Sequence, residues 1–131
     1  NIDCDVIAHA IAKGLEPFPG FLTPTEAFAA IAAGARNLKL FPGSVFGSTY
    51  VSSLRDVLPP DMKLWVVGGV GAANLSEFRA RGINGVGVGG AVYKPGSSAE
   101  QVSERAGALV AAWNASEEVR RGTADRFAHF P

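Results

Sequence analysis

The chain has 131 residues, and its 12 lysines and arginines are balanced by 12 aspartates and glutamates. Because the net charge is zero and no block of like charge occurs, the sequence indicates neither a nucleic-acid partner nor a membrane-surface partner. No apolar stretch approaches the length of a membrane span. The single cysteine, Cys4, excludes an intrachain disulfide and favours a reducing, cytoplasmic setting.

The first part of the chain predicts helices and strands in alternation. The predicted elements are a helix over 3–13, a short strand over 15–21, a helix over 23–34 and a strand over 37–41. Asp3 is a good N-cap for the first helix, and Gly14 ends it. Two prolines weaken the first strand. Thr23 and Glu26 form a capping box with proline at the first helical position, which predicts the start of the second helix.

The second part continues the alternation. The predicted elements are a helix over 48–58, a strand over 63–67, a helix over 73–81, a strand over 84–90 and a helix over 98–114. Residues 116–131 form a polar tail, interpreted as a docking arm or a frayed end. Strands that alternate with helices predict an α/β fold with a parallel sheet and right-handed crossovers. Four βα units fit either a small open sheet or half of a (β/α)8 barrel.

Lys39 is the first candidate for chemistry, since it lies inside the apolar run over 37–41. Burying an ammonium ion is costly. The usual response is loss of the proton, which leaves a neutral amine that can attack a carbonyl carbon. The alternative is a lysine near the strand end whose ammonium group extends into water.

Glycines follow two neighbouring predicted strands. Gly68 and Gly69 end the third strand, and the segment 87–90 ends the fourth. Ligand-binding residues gather at the carboxyl ends of parallel strands, and paired glycines let backbone N–H groups approach an anion. The sequence therefore predicts a phosphate site there. The segment 87–90 lacks the spacing of a dinucleotide-binding loop.

Other polar residues give weaker signals. Ser44, Ser48 and Thr49 follow the lysine strand and are candidates to bind a ligand oxygen, although helix capping is the favoured role for Ser48. Neither His9 nor His129 has a partner at metal-ligand spacing, so no metal site is predicted. Cys4 lies near a helix start, but no base accompanies it to activate its thiol.

Four segments carry a family resemblance when taken together. They are Asn37-Leu-Lys-Leu-Phe-Pro42, Trp65-Val-Val-Gly-Gly-Val70, Asn74-Leu75 and Gly87-Val-Gly-Gly90. With Pro19-Gly20 and Thr23-Pro-Thr-Glu-Ala27, they resemble the class I aldolases of 2-dehydro-3-deoxy-6-phospho sugar acids, the KDPG and KDPGal aldolases. The resemblance runs from Asn1 to about Asn114. It implies a (β/α)8 TIM barrel, usually a homotrimer, in which residues 1–115 are the last four βα units and 116–131 a tail.

The resemblance also implies roles for individual residues. Lys39 corresponds to the Schiff-base lysine. The implied substrate- and phosphate-binding positions are Val67, Gly68, Gly69, Gly89 and Gly90. The family often has a serine where Gly90 stands, so one side-chain contact to phosphate would be missing. Val67, Phe46 and Tyr50 resemble the galactonate branch, whereas a threonine is usual at the position of Val67 in the gluconate branch.

The implied reaction is reversible cleavage of 2-dehydro-3-deoxy-6-phosphogalactonate to pyruvate and glyceraldehyde 3-phosphate, without a metal or organic cofactor. The family's catalytic glutamate and carboxylate-binding arginine belong to the amino-terminal half, outside this sequence. Three alternatives stay open: the gluconate epimer as substrate, a phosphate-binding barrel isomerase or epimerase in which Lys39 only binds charge, and a non-catalytic half-barrel. Borohydride trapping with pyruvate separates the aldolases, which form an imine, from the isomerase or epimerase, which does not.

Overall fold

The computed structural model describes residues 2–127, with side chains described as far as Ser116. Strands and helices alternate along this part of the chain, as predicted. The elements in chain order are α1 (Cys4–Ala12), β1 (Gly20–Phe21), α2 (Pro24–Ala32), β2 (Asn37–Leu40), α3 (Gly47–Val57), β3 (Lys63–Val67), α4 (Leu75–Ala80), β4 (Gly85–Gly87) and α5 (Ala99–Phe127).

The four strands form one parallel sheet in the order β1-β2-β3-β4. Each strand therefore pairs with its neighbour in the sequence, and the predicted parallel α/β architecture is confirmed. The register sets Lys39 between Gly20 on β1 and Trp65 on β3, and it sets Trp65 beside Gly85 on β4. Within residues 2–127, β1 and β4 each have one paired edge.

The core lies between one face of the sheet and the helices. Leu38 and Leu40 on β2 and Leu64 and Val66 on β3 alternate with residues of the other face, and all four are at most 1% exposed. The helical residues of the same cluster include Ile7, Ala27, Ala30, Val51, Leu54, Leu75, Phe78 and Leu109. Full burial of a leucine or valine side chain contributes roughly 1.5–3 kcal/mol. This one-sided burial leaves the opposite face of the sheet to carry functional side chains.

Two strands are much shorter than predicted, for reasons of backbone chemistry. The strand predicted over 15–21 is confined to Gly20–Phe21, because Pro17 and Pro19 have no N–H to donate to a ladder. The strand predicted over 84–90 covers only Gly85–Gly87, and the glycines that follow it form a loop. The strand predicted over 63–67 is confirmed to the residue.

The last helix is longer than predicted. It runs to Phe127, so the predicted end at 114 is wrong, and the backbone of the predicted tail is helical from 116 to 127. The remaining tail residues, 128–131, lie outside the described residues. The docking role of the tail stays a prediction.

The predicted helix starts are confirmed in α1 and α2. The Asp3 side chain accepts a hydrogen bond from the Val6 N–H at 3.1 Å. In the capping box, Thr23 Oγ1 accepts from the Glu26 N–H at 3.4 Å, and Glu26 Oε2 accepts from the N–H groups of Leu22 and Thr23, each at 2.8 Å. These bonds satisfy amide groups that the first helical turn cannot pair internally.

The capping box predicts a pH dependence of stability. The N–H groups of Leu22 and Thr23 hold the pKa of Glu26 below its usual value, because they stabilise the carboxylate. The stabilisation is therefore complete above the ordinary glutamate pKa, about 4.3, and is lost as the pH falls through the lowered pKa of the folded state. Glu26→Gln should reduce the loss of unfolding free energy between pH 6 and pH 3, measured by urea denaturation. Glu104→Gln, at an exposed position on α5, is the control. Equal pH dependence in both variants would contradict this role of Glu26.

Candidate active site

Lys39 projects from the sheet face opposite the helices. Side chains alternate along a strand, so Lys39 points away from the face that buries Leu38 and Leu40. It shares its face with Trp65 on the neighbouring strand. Lys39 is partly buried, whereas the apolar run around it predicted a buried strand position. The difference arises because the described helices cover only the other face of the sheet.

A hydrogen-bonded chain lies on the same face, toward the amino-terminal ends of the strands. Trp65 Nε1 donates to Asn37 Oδ1 at 2.8 Å, and Asn37 Nδ2 donates to Glu16 Oε1. Asn37 is two residues before Lys39, roughly 6.6 Å along the strand. Asn37 is only 3% exposed, so both ends of its amide need these partners. Glu16 is thus hydrogen-bonded to β2 on the amino-terminal side of Lys39.

The small residues of β4 are explained by the large residues of β3. A Cβ atom at Gly85 would collide with the ring of Trp65, and one at Gly87 would lie 2.6 Å from Val67 Cγ2. Trp65 and Val67 therefore lie across β4 on the face that carries Lys39. Val67 was predicted to contact substrate, and the structure places its side chain on this face at the carboxyl end of β3.

The loop after the lysine strand packs against the end of β3. The Phe41–Pro42 peptide is cis. The Gly43 N–H donates to the Val67 carbonyl at 2.8 Å, and a Cβ atom at Gly43 would collide with Val66. The backbone of this loop therefore lies directly beside the start of the first glycine loop.

Ser44 brings the loop after β2 into contact with the first glycine loop, at Gly69. A Cβ atom at Gly69 would collide with Ser44 Cβ and would lie 3.1 Å from Ser44 Oγ. Ser44 is exposed, so its hydroxyl stays a candidate to bind a ligand oxygen. The capping role favoured for Ser48 is wrong, since α3 has Phe46 as its N-cap residue and no side-chain capping bond.

Tyr50 connects α3 to the turn before α2. Its hydroxyl donates to the Leu22 carbonyl at 2.7 Å, and its ring contacts that of Phe46 at 4.8 Å between centroids. Burial raises the pKa of Tyr50, and the nearby charge of Glu26 adds to the effect. Tyr50 is therefore a neutral donor in a structural bond.

The two glycine loops enclose one cleft of about 520 Å³. The four glycines predicted to bind phosphate all line it, together with Val70, Gly71, Ala73, Asn74, Gly87, Val88 and Ala91. Gly68 and Gly69 have φ of +88° and +76°, a conformation that strongly favours glycine. Positions 89 and 90 have open space where a Cβ atom would stand. Lys39 and Val67 do not line the cleft, so they belong to the sheet face beside it.

The residues that line this cleft carry no charged side chain, and Asn74 is the one with a polar side chain. An anion would therefore be held by backbone N–H groups, as in other glycine-rich anion sites. Sequence reasoning assigned no role to Asn74. Its position three residues after Gly71 and directly before α4 was a usable signal, but it is equally typical of a helix cap.

Cys4 and His9 add nothing to this site. The Cys4 thiol faces the Ala29 carbonyl at 3.8 Å, His9 lies in the last turn of α1, and His129 lies outside the described residues. Among residues 2–116, no three histidine, cysteine or acidic side chains are grouped so that they could hold one metal ion. No helix in the described part of the chain is long and apolar enough to cross a membrane.

A family model and two curated relatives agree on one family. Residues 1–106 match the family model described as KDPG and KHG aldolase. The chain is 47% identical over 115 residues to a "Probable 2-dehydro-3-deoxy-6-phosphogalactonate aldolase" of Rhizobium meliloti (strain 1021), covering 88% of this chain and 54% of the relative. It is 42% identical over 113 residues to the "2-dehydro-3-deoxy-6-phosphogalactonate aldolase" of Escherichia coli (strain K12). That match covers 86% of this chain and 55% of the relative.

Among solved structures, one described as "Native KDPGal structure" superposes with a TM-score of 0.87 at 41% identity. The superposition covers 90% of this chain and 57% of the solved chain. The chain thus spans about half the length of the curated relatives it matches.

Proposed function

Because the chain belongs to the KDPG and KHG aldolase family, we propose that it is the part of a class I aldolase that supplies the Schiff-base lysine and the phosphate site. The proposed reaction is cleavage of 2-dehydro-3-deoxy-6-phosphogalactonate to pyruvate and glyceraldehyde 3-phosphate. One observation carries it: Lys39 projects from a sheet face whose carboxyl end adjoins a cleft lined by both glycine pairs. A substrate with a ketone at one end and a phosphate at the other fits that arrangement.

The proposed chemistry follows from an amine at the position of Lys39. Its nitrogen attacks the C2 ketone, and loss of water leaves a protonated imine. A general base takes the proton of the C4 hydroxyl, the C3–C4 bond breaks, and its electron pair moves into the imine to give an enamine. Glyceraldehyde 3-phosphate leaves as the aldehyde. Protonation of C3 and hydrolysis of the imine then release pyruvate and regenerate the amine.

We propose that the described fold is the last four βα units of a (β/α)8 barrel. The four parallel strands follow one another in sequence order, as barrel strands do. The chain matches about half of each curated relative, and β1 and β4 each offer an unpaired edge within the described residues, where another chain segment can pair. The general base and the group that binds the substrate carboxylate would then come from the other half.

The galactonate epimer is the proposed substrate because relatives at 47% and 42% identity carry that name. Valine at position 67 agrees with the galactonate branch of the family. The gluconate epimer is the alternative. Assembly as a homotrimer and a cytoplasmic location stay predictions, the first from the family resemblance and the second from the cysteine content.

Substitutions at position 90 test the phosphate site, because a polar and an apolar side chain there should change KM in opposite directions. We expect Gly90→Ser to lower KM for the phosphorylated substrate, because its hydroxyl restores a contact to phosphate. Gly90→Val should raise KM about tenfold, because an apolar side chain displaces phosphate from hydrogen-bond donors. Both fit sterically, since a Cβ atom at position 90 meets no neighbour. Gly69 is a poorer choice, because a Cβ atom there collides with Ser44.

The assay needs a complete barrel, made by joining the amino-terminal part of the Rhizobium meliloti relative to this chain. We call this protein the chimeric barrel. Pyruvate release is measured with both sugar-acid epimers, and pyruvate imine formation is measured by borohydride trapping. KM should change in opposite directions while trapping stays constant. Unchanged KM in both variants, with trapping intact, would contradict phosphate binding at Gly90.

A further inference from the structure

The side chain of Asn74 closes the first glycine loop. Its Nδ2 donates to the Gly69 carbonyl at 2.9 Å, and its Oδ1 accepts from the Gly71 N–H at 2.9 Å. An asparagine directly before a helix ordinarily accepts a hydrogen bond from the first helical turn, but Asn74 makes no such bond. Both ends of its amide are instead used on the loop.

Those two hydrogen bonds orient two successive peptide groups. The Gly69 carbonyl and the Val70 N–H belong to one planar trans peptide, so they point in opposite directions. Holding the carbonyl toward Asn74 therefore holds the Val70 N–H away from it. The bond to the Gly71 N–H fixes the next peptide in the opposite sense, with its N–H toward Asn74 and the Val70 carbonyl away from it. No hydrogen bond among the described residues uses the N–H groups of Gly69 or Val70, so both stay available to an anion.

This loop needs an external constraint. Gly68 and Gly69 occupy the left-handed region, and glycine has more accessible backbone conformations than other residues. If a loop becomes ordered only when the ligand binds, the entropy cost of that ordering lowers the affinity for the ligand. A preorganised loop avoids this cost.

We propose that Asn74 is a positioning residue for the phosphate site. It does not need to touch the anion; it holds the segment 69–71 in the conformation that presents backbone N–H groups to it. This inference rests on the proposed function, because it assumes that the glycine cleft binds phosphate. It goes further in assigning the order of the loop to one side chain outside the glycine motifs.

Asn84 provides a matched control. Its side chain also makes two hydrogen bonds, since Oδ1 accepts from the Leu64 N–H at 2.8 Å and from Arg55 Nη2 at 2.6 Å. Asn84 stands just before β4 and does not line the cleft. Asn84→Ala should therefore lower the thermal stability without changing phosphate affinity. A residue with a merely structural role at position 74 would behave in the same way.

The test is calorimetric titration of inorganic phosphate into the 131-residue chain, which supplies both glycine loops and Asn74. Asn74→Ala should weaken binding about tenfold, as expected when two neutral hydrogen bonds are lost. Asn74→Ser, whose hydroxyl can replace one of the two bonds, should have an intermediate effect. Asn84→Ala should bind as the unmodified chain does. Circular dichroism checks that each variant is folded.

Three outcomes would overturn the inference. The first is unchanged phosphate affinity in folded Asn74→Ala, or in Asn74→Ser if the alanine variant does not fold. The second is equal weakening in Asn84→Ala, which would attribute the effect to stability. The third is a lack of phosphate binding by the unmodified chain, which would also remove the phosphate site from the proposed function. Imine trapping at Lys39 is independent of all three, so the two proposals fail separately.

Discussion

Replacing Lys39 with alanine is expected to abolish the covalent capture of pyruvate by borohydride. In the chimeric barrel, reduction of the imine should add one pyruvyl group to the protein, detected by intact mass and located by peptide mapping. Without the amine at position 39 no imine forms, so both the adduct and aldol cleavage should fall below detection. This is the largest effect that a single substitution in the chain should produce.

Lys63 is the matched control for that experiment. It lies at the start of β3, in register with Asn37, and therefore on the same sheet face as Lys39 but closer to the amino-terminal ends of the strands. It is exposed. Lys63→Ala should keep the adduct and the cleavage activity. An adduct that survives in Lys39→Ala would place the nucleophile elsewhere. The absence of any adduct in the unmodified protein would favour the alternative in which Lys39 only binds charge.

The 131-residue chain by itself is expected to show no measurable aldol cleavage. The strand residues that share a face with Lys39 are Gly20, Asn37, Lys63, Trp65, Val67, Gly85 and Gly87, and none of them is a carboxylate. Glu16 reaches this face but is bound to Asn37. Positioned general acid–base groups contribute about 10²–10⁴-fold to a rate, and their loss removes proton transfer at the C4 hydroxyl and at C3. Mixing the chain with the amino-terminal part of the Rhizobium meliloti relative should restore cleavage.

Glu16→Gln separates the two possible sources of the base. A glutamine still accepts a hydrogen bond from Asn37, so the fold should persist, and the complemented activity should stay within about twofold. Cleavage by the unmodified chain alone, lost in Glu16→Gln, would identify Glu16 as the base and refute an origin in the other half.

The sequence by itself determined the features that depend on neighbouring residues. The limits of β3 follow from a short apolar run bounded by Pro60 and Gly68, and the start of α2 follows from the capping box of Thr23 and Glu26. Periodicity and capping act within a few residues, so they can be recognised without the fold. The alternation of strands and helices predicted the parallel sheet for the same reason.

Only the tertiary structure decided the features that depend on residues far apart in the chain. Gly85 is small because Trp65 of the neighbouring strand covers it. Glu16 is bound to Asn37, 21 residues away in the sequence, and Lys39 is partly exposed because the described helices cover the other face of the sheet. The role of Asn74 also depends on structure, since the same residue before a helix can bond forward to the first turn or back to the loop. Hydrogen bonds and packing select between such alternatives, and they exist only once the chain has folded.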